Sequence, residues 1–326
     1  MKKLFFSSVA MFVAVVLACS CASCKNASKT SAAEADTIAL VGPTFSADSA
    51  YAFTAAQCAF GERTMNSRAH DLCGEWIMKK FASYGMTVEA QDADVKGWDG
   101  TTLHSRNIIA RFRPEATTRI LLCAHWDSRP WADNDPDSTN WRKPVVAVML
   151  EIARALQSDT TLKVGVDFVC FDAEDWGTPQ WADVADDADT WALGAQHWAT
   201  HLPEGYEARY GILLDMVGGA GSKFYQEGVS KQYAAEIVNK VWRTAAGIGY
   251  GAFFPMKDGG MLTDDHVPVN EKAGIPCIDI VPFFPDCQQS SFGPTWHTVN
   301  DTMENIDPNV LKAVGQTVLQ VLYSEE

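Results

Sequence analysis

At 326 residues with 47% apolar content, the chain is long enough to bury a large core in one domain or two. Its formal net charge of -15 excludes a nucleic-acid partner, because so acidic a surface releases no counterions from a phosphate backbone. After residue 24 no CxxC pair recurs at zinc spacing, so any metal would have to be held by carboxylates and histidines.

The first segment reads as an export leader: Lys2 and Lys3, the apolar run LFFSSVAMFVAVVLA, then small residues and cysteines in CSCASC. The run is too short for a stable membrane span. It resembles a bacterial lipoprotein signal, with Cys19 or Cys21 as the lipidated start of the mature chain; an ordinary secretory signal is the other reading. Residues 1–24 are therefore read as leader, 25–48 as a polar flexible tether and 49–326 as a single domain. Both readings send the mature chain out of the cytoplasm, to the periplasm or to the outer membrane through a lipid anchor. Disulfides persist there. Cys58 and Cys73, fifteen positions apart and flanked by helical patterns, are candidates for a bridge, with buried thiols as the alternative. Cys123, Cys170 and Cys277 lie inside apolar runs and read as core.

From about Ser49 strand-like runs alternate with helical ones. RILLCAH (119–125), LKVGVDFVCF (162–171), YGILLDMV (210–217) and PCIDIV (276–281) show little polar alternation, as strands buried on both faces do. VVAVMLEIARALQ, TWALGAQHWATHL, KQYAAEIVNKVWRTA and NVLKAVGQTVLQVLY carry helical spacing. The order predicts an α/β fold, a three-layer α/β/α sandwich around a mostly parallel mixed sheet.

Ligands in such folds bind at the carboxyl ends of the strands. The polar residues there are His125 and Asp127, then Asp172, Glu174 and Asp175, then Asp215; Asp264, Asp265 and His266 follow in MLTDDHVP, and His297 in PTWHTVND. Each alone has a plain reading as a helix cap, a turn former or a satisfied core histidine. Together, carboxylates and imidazoles without thiolate suit a zinc-like ion with open coordination. Adjacent acids can then divide the work, one ligating and its neighbour shuttling a proton.

The order HWD, FDAED, LDMVG, DDHVP and WHT, with AFGERTMNSRAHDLCGEW and RNIIA upstream, resembles the glutaminyl cyclases of the zinc aminopeptidase-like M28 superfamily, in their Bacteroidetes-type branch. The resemblance implies an acyltransferase that converts N-terminal glutamine of peptides and proteins to pyroglutamate and releases ammonia, using one zinc ion. It implies Asp175 and His297 as zinc ligands and Glu174 as general acid/base. Asp215, Asp264 and Asp265 would bond around that glutamate and the substrate, and Trp296 would wall the pocket. His125 and Asp127 match positions that bind a second metal in two-metal relatives and sit behind the ligands in cyclases. The chain departs from this pattern between the HWD loop and the next helix. Relatives carry a glycine-rich GANDGASG-type segment whose Asp is a central zinc ligand; here DSTNWRKPVV runs directly into the helix. Two of three expected ligands remain. Asp133, Asp135 and Asp137 lie close by in an acidic turn that reads as solvated. Weak zinc binding and reduced activity are expected. An M28-type aminopeptidase and a non-catalytic surface lipoprotein that keeps the fold are the alternatives.

Overall fold

The computed structural model describes residues 38–135, 147–157 and 159–326. The leader, the lipidation candidates Cys19 and Cys21, Asp137 and the shortened junction at 136–146 lie outside the described residues.

Six strands form one sheet: β1 (Thr87–Lys96), β2 (Thr102–Phe112), β3 (Arg119–His125), β4 (Gly165–Phe171), β5 (Tyr210–Leu214) and β6 (Cys277–Ile280). Their spatial order is β1-β2-β4-β3-β5-β6. β4, β3, β5 and β6 run parallel, while β2 pairs antiparallel with both β1 and β4. Every residue of β3, β4 and β5 is buried, which accounts for their unbroken apolar runs. β1 is different. Its sequence TVEAQDADVK is half exposed along an edge, and its polar composition hides it from a search for apolar runs.

Helices cover both faces. Ile120, Leu122, Val166, Phe168 and Ile212 point into one core with α1 (Ala47–Cys58), α2 (Arg68–Ser83), α3 (Ala147–Leu156), α5 (Gly228–Gly247) and α7 (Pro308–Tyr323). The alternate residues Leu121, Cys123, Val169, Phe171 and Leu213 meet Trp198 of α4 (Leu193–Thr200) and Val269 of α6 (His266–Glu271) on the other face. This is the period-two division of a pleated strand between two layers. The one charge inside β4, Asp167, receives a two-pronged bond from Arg119 (2.7 and 2.6 Å) and the Tyr206 hydroxyl at 2.9 Å.

Two sequence expectations are corrected. The tether ends earlier than residue 48: Val41 and Phe45 donate backbone bonds to Gln320 and Gln316 of α7 at 2.9 Å. The Phe45 ring fills the space over Gly315, where a Cβ would approach it to 2.1 Å. The Cys58–Cys73 bridge is not formed. Cys73 is a free thiol in the core on α2, its pKa pushed up to about 11 chiefly by burial. Cys123, Cys170 and Cys277 are buried as expected.

β3 is flanked by β4 on one side and β5 on the other, so the chain order reverses there. A crevice opens beyond the carboxyl ends of the strands at such a switch point.

Candidate active site

His125 closes β3 and Asp127 follows it. Glu174 and Asp175 follow β4, Asp215 follows β5, and Asp264 and Asp265 precede α6. Residues from His125 to Asp265 thus meet at one end of the sheet. His125 Nδ1 lies 3.1 Å from Asp127 Oδ1 and 3.9 Å from Glu174 Oε2, and its Nε2 lies 3.5 Å from Asp215 Oδ1. Asp127 also accepts the backbone amides of Glu174 and Asp175, both at 3.2 Å, so it aims the turn that carries them. In that turn Ala173 is held at φ 52°, a strained conformation for a non-glycine residue. Met216 after Asp215 (φ 48°), Ala192 after Trp191 (φ 52°) and His297 itself (φ 53°) share the feature.

Asp172, the first acid after β4, does different work. It accepts His70 Nε2 (2.8 Å) and the Arg106 amide (2.6 Å) inside the fold, locking α2 and β2 to the end of β4. Of the three strand-end acids, one anchors the turn and two reach the chamber.

Burial drives the Glu174 pKa well up, and neighbouring Asp175 adds to it, so the carboxyl is held protonated far above the usual range. For Asp175 burial works in the same direction, but His297 and Arg129 outweigh it and leave the group ionised. Asp264 is raised to about 8 by burial and by Asp215. Asp265, fully buried and without a hydrogen bond to its carboxylate among the described residues, is raised well above the ordinary value by burial and by Asp264. Burial opposes the charge on His125, but Asp127 and Asp215 overcome it, raising its pKa well above the usual value. His266 turns away to Glu227 (3.2 Å), which caps α5.

On the other side of the chamber His297 Nε2 lies 3.3 Å from Asp175 Oδ1, and Nδ1 lies 3.3 Å from Asp133 Oδ1. Asp133 is not solvated, contrary to the sequence reading. It is buried and receives both prongs of Arg129 at 2.9 and 2.7 Å, a price in desolvation offset by charge. Arg129 also reaches Asp175 Oδ1 at 3.3 Å and sits between the rings of Trp131 and Trp191, 5.4 and 4.8 Å from their centroids. Asp135 accepts the Val299 amide at 3.4 Å. Trp296 stacks on His297 at 3.7 Å, and Trp191 lies parallel to the same ring at 6.4 Å.

These residues enclose a cavity of about 450 Å³. Among the described residues its walls carry Glu174, Asp175, Asp186, Asp215, Asp264 and Asp301, the rings of His125 and His297, and no lysine or arginine. Trp191, Phe284, Phe292 and Trp296 supply the apolar part. Of the residues the sequence reading named, the structure places His125, Glu174, Asp175, Asp215, Asp264, Trp296 and His297 on this wall; Asp127 and Asp265 stand behind it. Sequence reasoning missed Arg129, Trp191, Asp186 and Asp301. The last is raised to about 7 by burial, and its spacing four residues after His297 was the available signal.

The profile of peptidase family M28 matches residues 107–322, and the chain belongs to that family. Its fold is similar to the crystal structure of Bacteroides thetaiotaomicron glutaminyl cyclase bound to N-acetylhistamine, at 45% identity over 88% of this chain and 100% of that one, with TM-score 0.84. Tannerella forsythia glutaminyl cyclase is 48% identical over 87% of this chain and 100% of that one, with TM-score 0.83. Aminopeptidase YwaD of Bacillus subtilis is 30% identical over 72% of this chain; the matched region spans about half of that protein, 48%.

Whether the residues fit the zinc ion implied by the cyclase pattern can be tested on the donors. A catalytic zinc takes three protein ligands and leaves a fourth position open. Asp175 and His297 converge, but among the described residues no third histidine, cysteine, aspartate or glutamate completes a metal-holding group with them. The Asp175 oxygen that faces His297 is also engaged by the Arg129 guanidinium. The described donors do not fit a catalytic zinc.

Proposed function

We propose that the chain acts on peptides and proteins bearing N-terminal glutamine, as a glutaminyl cyclase whose proton-transfer apparatus is complete and whose electrophilic apparatus is short of a donor. The observation that carries this reading is Glu174: a buried carboxyl of raised pKa on the wall of a cavity whose described lining is acids and aromatic rings, with no lysine or arginine among the described residues. Such a cavity favours a cationic α-ammonium and repels a terminal carboxylate. The likeness to glutaminyl cyclases at 45 and 48% identity supports the same reading.

The cationic α-ammonium of the bound glutamine stabilises the ionised form of Glu174, whose own proton leaves to solvent; the carboxylate, a stronger base for its raised pKa, then accepts a proton from that ammonium. The freed amine nitrogen attacks its own γ-carboxamide carbon, already tethered at ring-closing distance. The new C–N bond closes a five-membered lactam, the ring nitrogen gives up its second proton to the departing amide nitrogen, the carbon–amide nitrogen bond breaks, and Glu174 returns the first proton, so that ammonia leaves as ammonium. Asp215 and Asp264 surround this transfer, and Trp191 and Trp296 flank the ring that forms. No step is routed through a metal. What the described residues lack is a strong stabiliser for the developing oxyanion, usually the largest single contribution. Slow turnover is therefore expected.

The test joins two measurements on one purified sample: zinc by elemental analysis and ammonia release from a glutaminyl dipeptide. Turnover with near-stoichiometric zinc means a residue outside the described set completes the site. Neither zinc nor turnover with intact peptide binding means a cyclase fold that retains recognition alone. The aminopeptidase reading, favoured by YwaD, requires hydrolysis of an aminoacyl anilide. Read with the leader, the substrates would be exported proteins whose processing exposes glutamine.

A further inference from the structure

Residues 176–192 form a loop that leaves the chamber at Asp175 and returns to it at Trp191. Gly177 lets it pass: a Cβ there would lie 1.9 Å from the Trp191 ring. The outer part of the loop exposes Trp181 and Val184 at 55% and 58%, among the most exposed large apolar side chains of the described residues. Trp181 does not hang free. Its ring meets Trp98 at 6.0 Å and Trp131 at 5.8 Å, both edge to face, and Trp131 meets Trp176 at 5.4 Å. A rigid aromatic stack therefore holds an indole out to solvent, an arrangement that core packing does not require.

The same stretch is acidic. Asp183, Asp186, Asp187 and Asp189 are exposed, and no lysine or arginine occurs between 176 and 192. Arg129 beneath it is buried and committed to Asp133 and Asp175; Lys96 nearby is bonded to Thr102. Asp186 and Ala188 are also part of the cavity wall, so the exposed stretch continues from the mouth of the chamber.

We propose that the outer face of residues 181–189 docks the segment of a substrate that follows its N-terminal residue, and that it selects segments carrying lysine or arginine together with an apolar side chain. The cationic residues meet the interleaved aspartates, and the apolar one lies against Trp181. This rests on the glutaminyl reading for the first residue only; the surface itself is defined by loop charge, exposed rings and continuity with the cavity.

The experiment is a tryptophan-fluorescence titration of the purified protein with four short peptides: glutamine or alanine first, followed by either a basic-apolar or an acidic-apolar segment. The basic peptides are expected to bind about tenfold tighter than the acidic ones, a preference that collapses near 1 M salt, where the Debye length is about 3 Å. Trp181→Ala and the pair Asp183→Asn with Asp189→Asn are each expected to cut that preference about three- to fivefold, the reach of exposed charge pairs. Equal affinity for basic and acidic peptides, an unaltered preference in both variants, or no binding of either basic peptide overturns the proposal. The first residue reports separately. If basic peptides win but glutamine and alanine bind alike, the surface stands and the glutaminyl reading falls; glutamine preferred without charge preference gives the reverse. Quenching by a neutral oligosaccharide alone marks the rings as a sugar platform and also overturns the proposal.

Discussion

Glu174 and Asp175 are neighbours in sequence, yet they belong to differently furnished halves of one chamber. Around Glu174 stand Asp127, Asp215, Asp264 and His125, all fixed by the ends of β3, β4 and β5 and by the start of α6. Around Asp175 stand His297, which sits on a long loop, and the Arg129–Asp133 pair. The first half carries the proton transfer proposed above and is assembled from the strand ends and the start of α6. The second half holds charge, and a guanidinium neutralises there part of what a metal would. In the proposed mechanism, proton transfer and electrophilic activation would rest on separate pieces of the fold, so that one could persist when the other is reduced.

The largest expected effect tests the first half. Glu174→Gln removes the proton acceptor and keeps the shape, so ammonia release should fall by about a hundredfold or more, the range of general acid–base catalysis. Peptide affinity should change little, since the cavity keeps its other five acids. A single-turnover assay paired with a binding titration checks both; turnover equal to the parent would remove Glu174 from the proton-transfer role.

Arg129→Met tests the second half through stability. It strips the partner from Asp133 and bares one side of Asp175, both buried. Breaking a buried pair from one side costs about 3–5 kcal/mol. A urea midpoint shift far smaller than that, with an unchanged slope, would show that His297 alone suffices. His297→Ala should weaken whatever zinc affinity the protein has, and an unaltered metal titration would sink the assigned pair.

How much of this was readable beforehand differs between the halves in the same way. The parallel strands and the acids behind them were legible because burial on both faces leaves continuous apolar runs, and each run ends in a polar residue. The clustering of acids near Glu174 follows from sequence order, whereas the role given to Glu174 comes from the resemblance to glutaminyl cyclases. Arg129 and Asp133 were not legible, because an Arg-Pro-Trp-Ala-Asp stretch on a loop looks solvent-bound until the fold closes Trp131 and Trp191 over the guanidinium. β1 escaped for the opposite reason, being an edge strand with too little apolar content to announce itself. Asp172 looked like the other strand-end acids and proved to be a brace, which only its contacts with His70 and Arg106 distinguish.

The smallest effect concerns pH and sharpens the comparison from the stability side. Asp264 keeps its proton to about pH 8 in the folded chain, while an unfolded aspartate loses it near pH 3.9. Between those values the native state binds more protons than the unfolded one, so this residue makes stability fall as pH rises. The penalty is absent below about pH 3.9 and complete above about pH 8. Asp175 has the opposite sign: its depressed pKa adds stability above the unfolded value, lost as pH falls through the folded one. Asp264→Asn, uncharged at every pH, should flatten the decline between about pH 4 and 8 and leave the acid limb due to Asp175 in place. Urea midpoints across that range decide it. A decline unchanged in the variant would place the retained proton elsewhere in the cluster, on Asp265 or Glu174, whose pKa values are raised by the same burial.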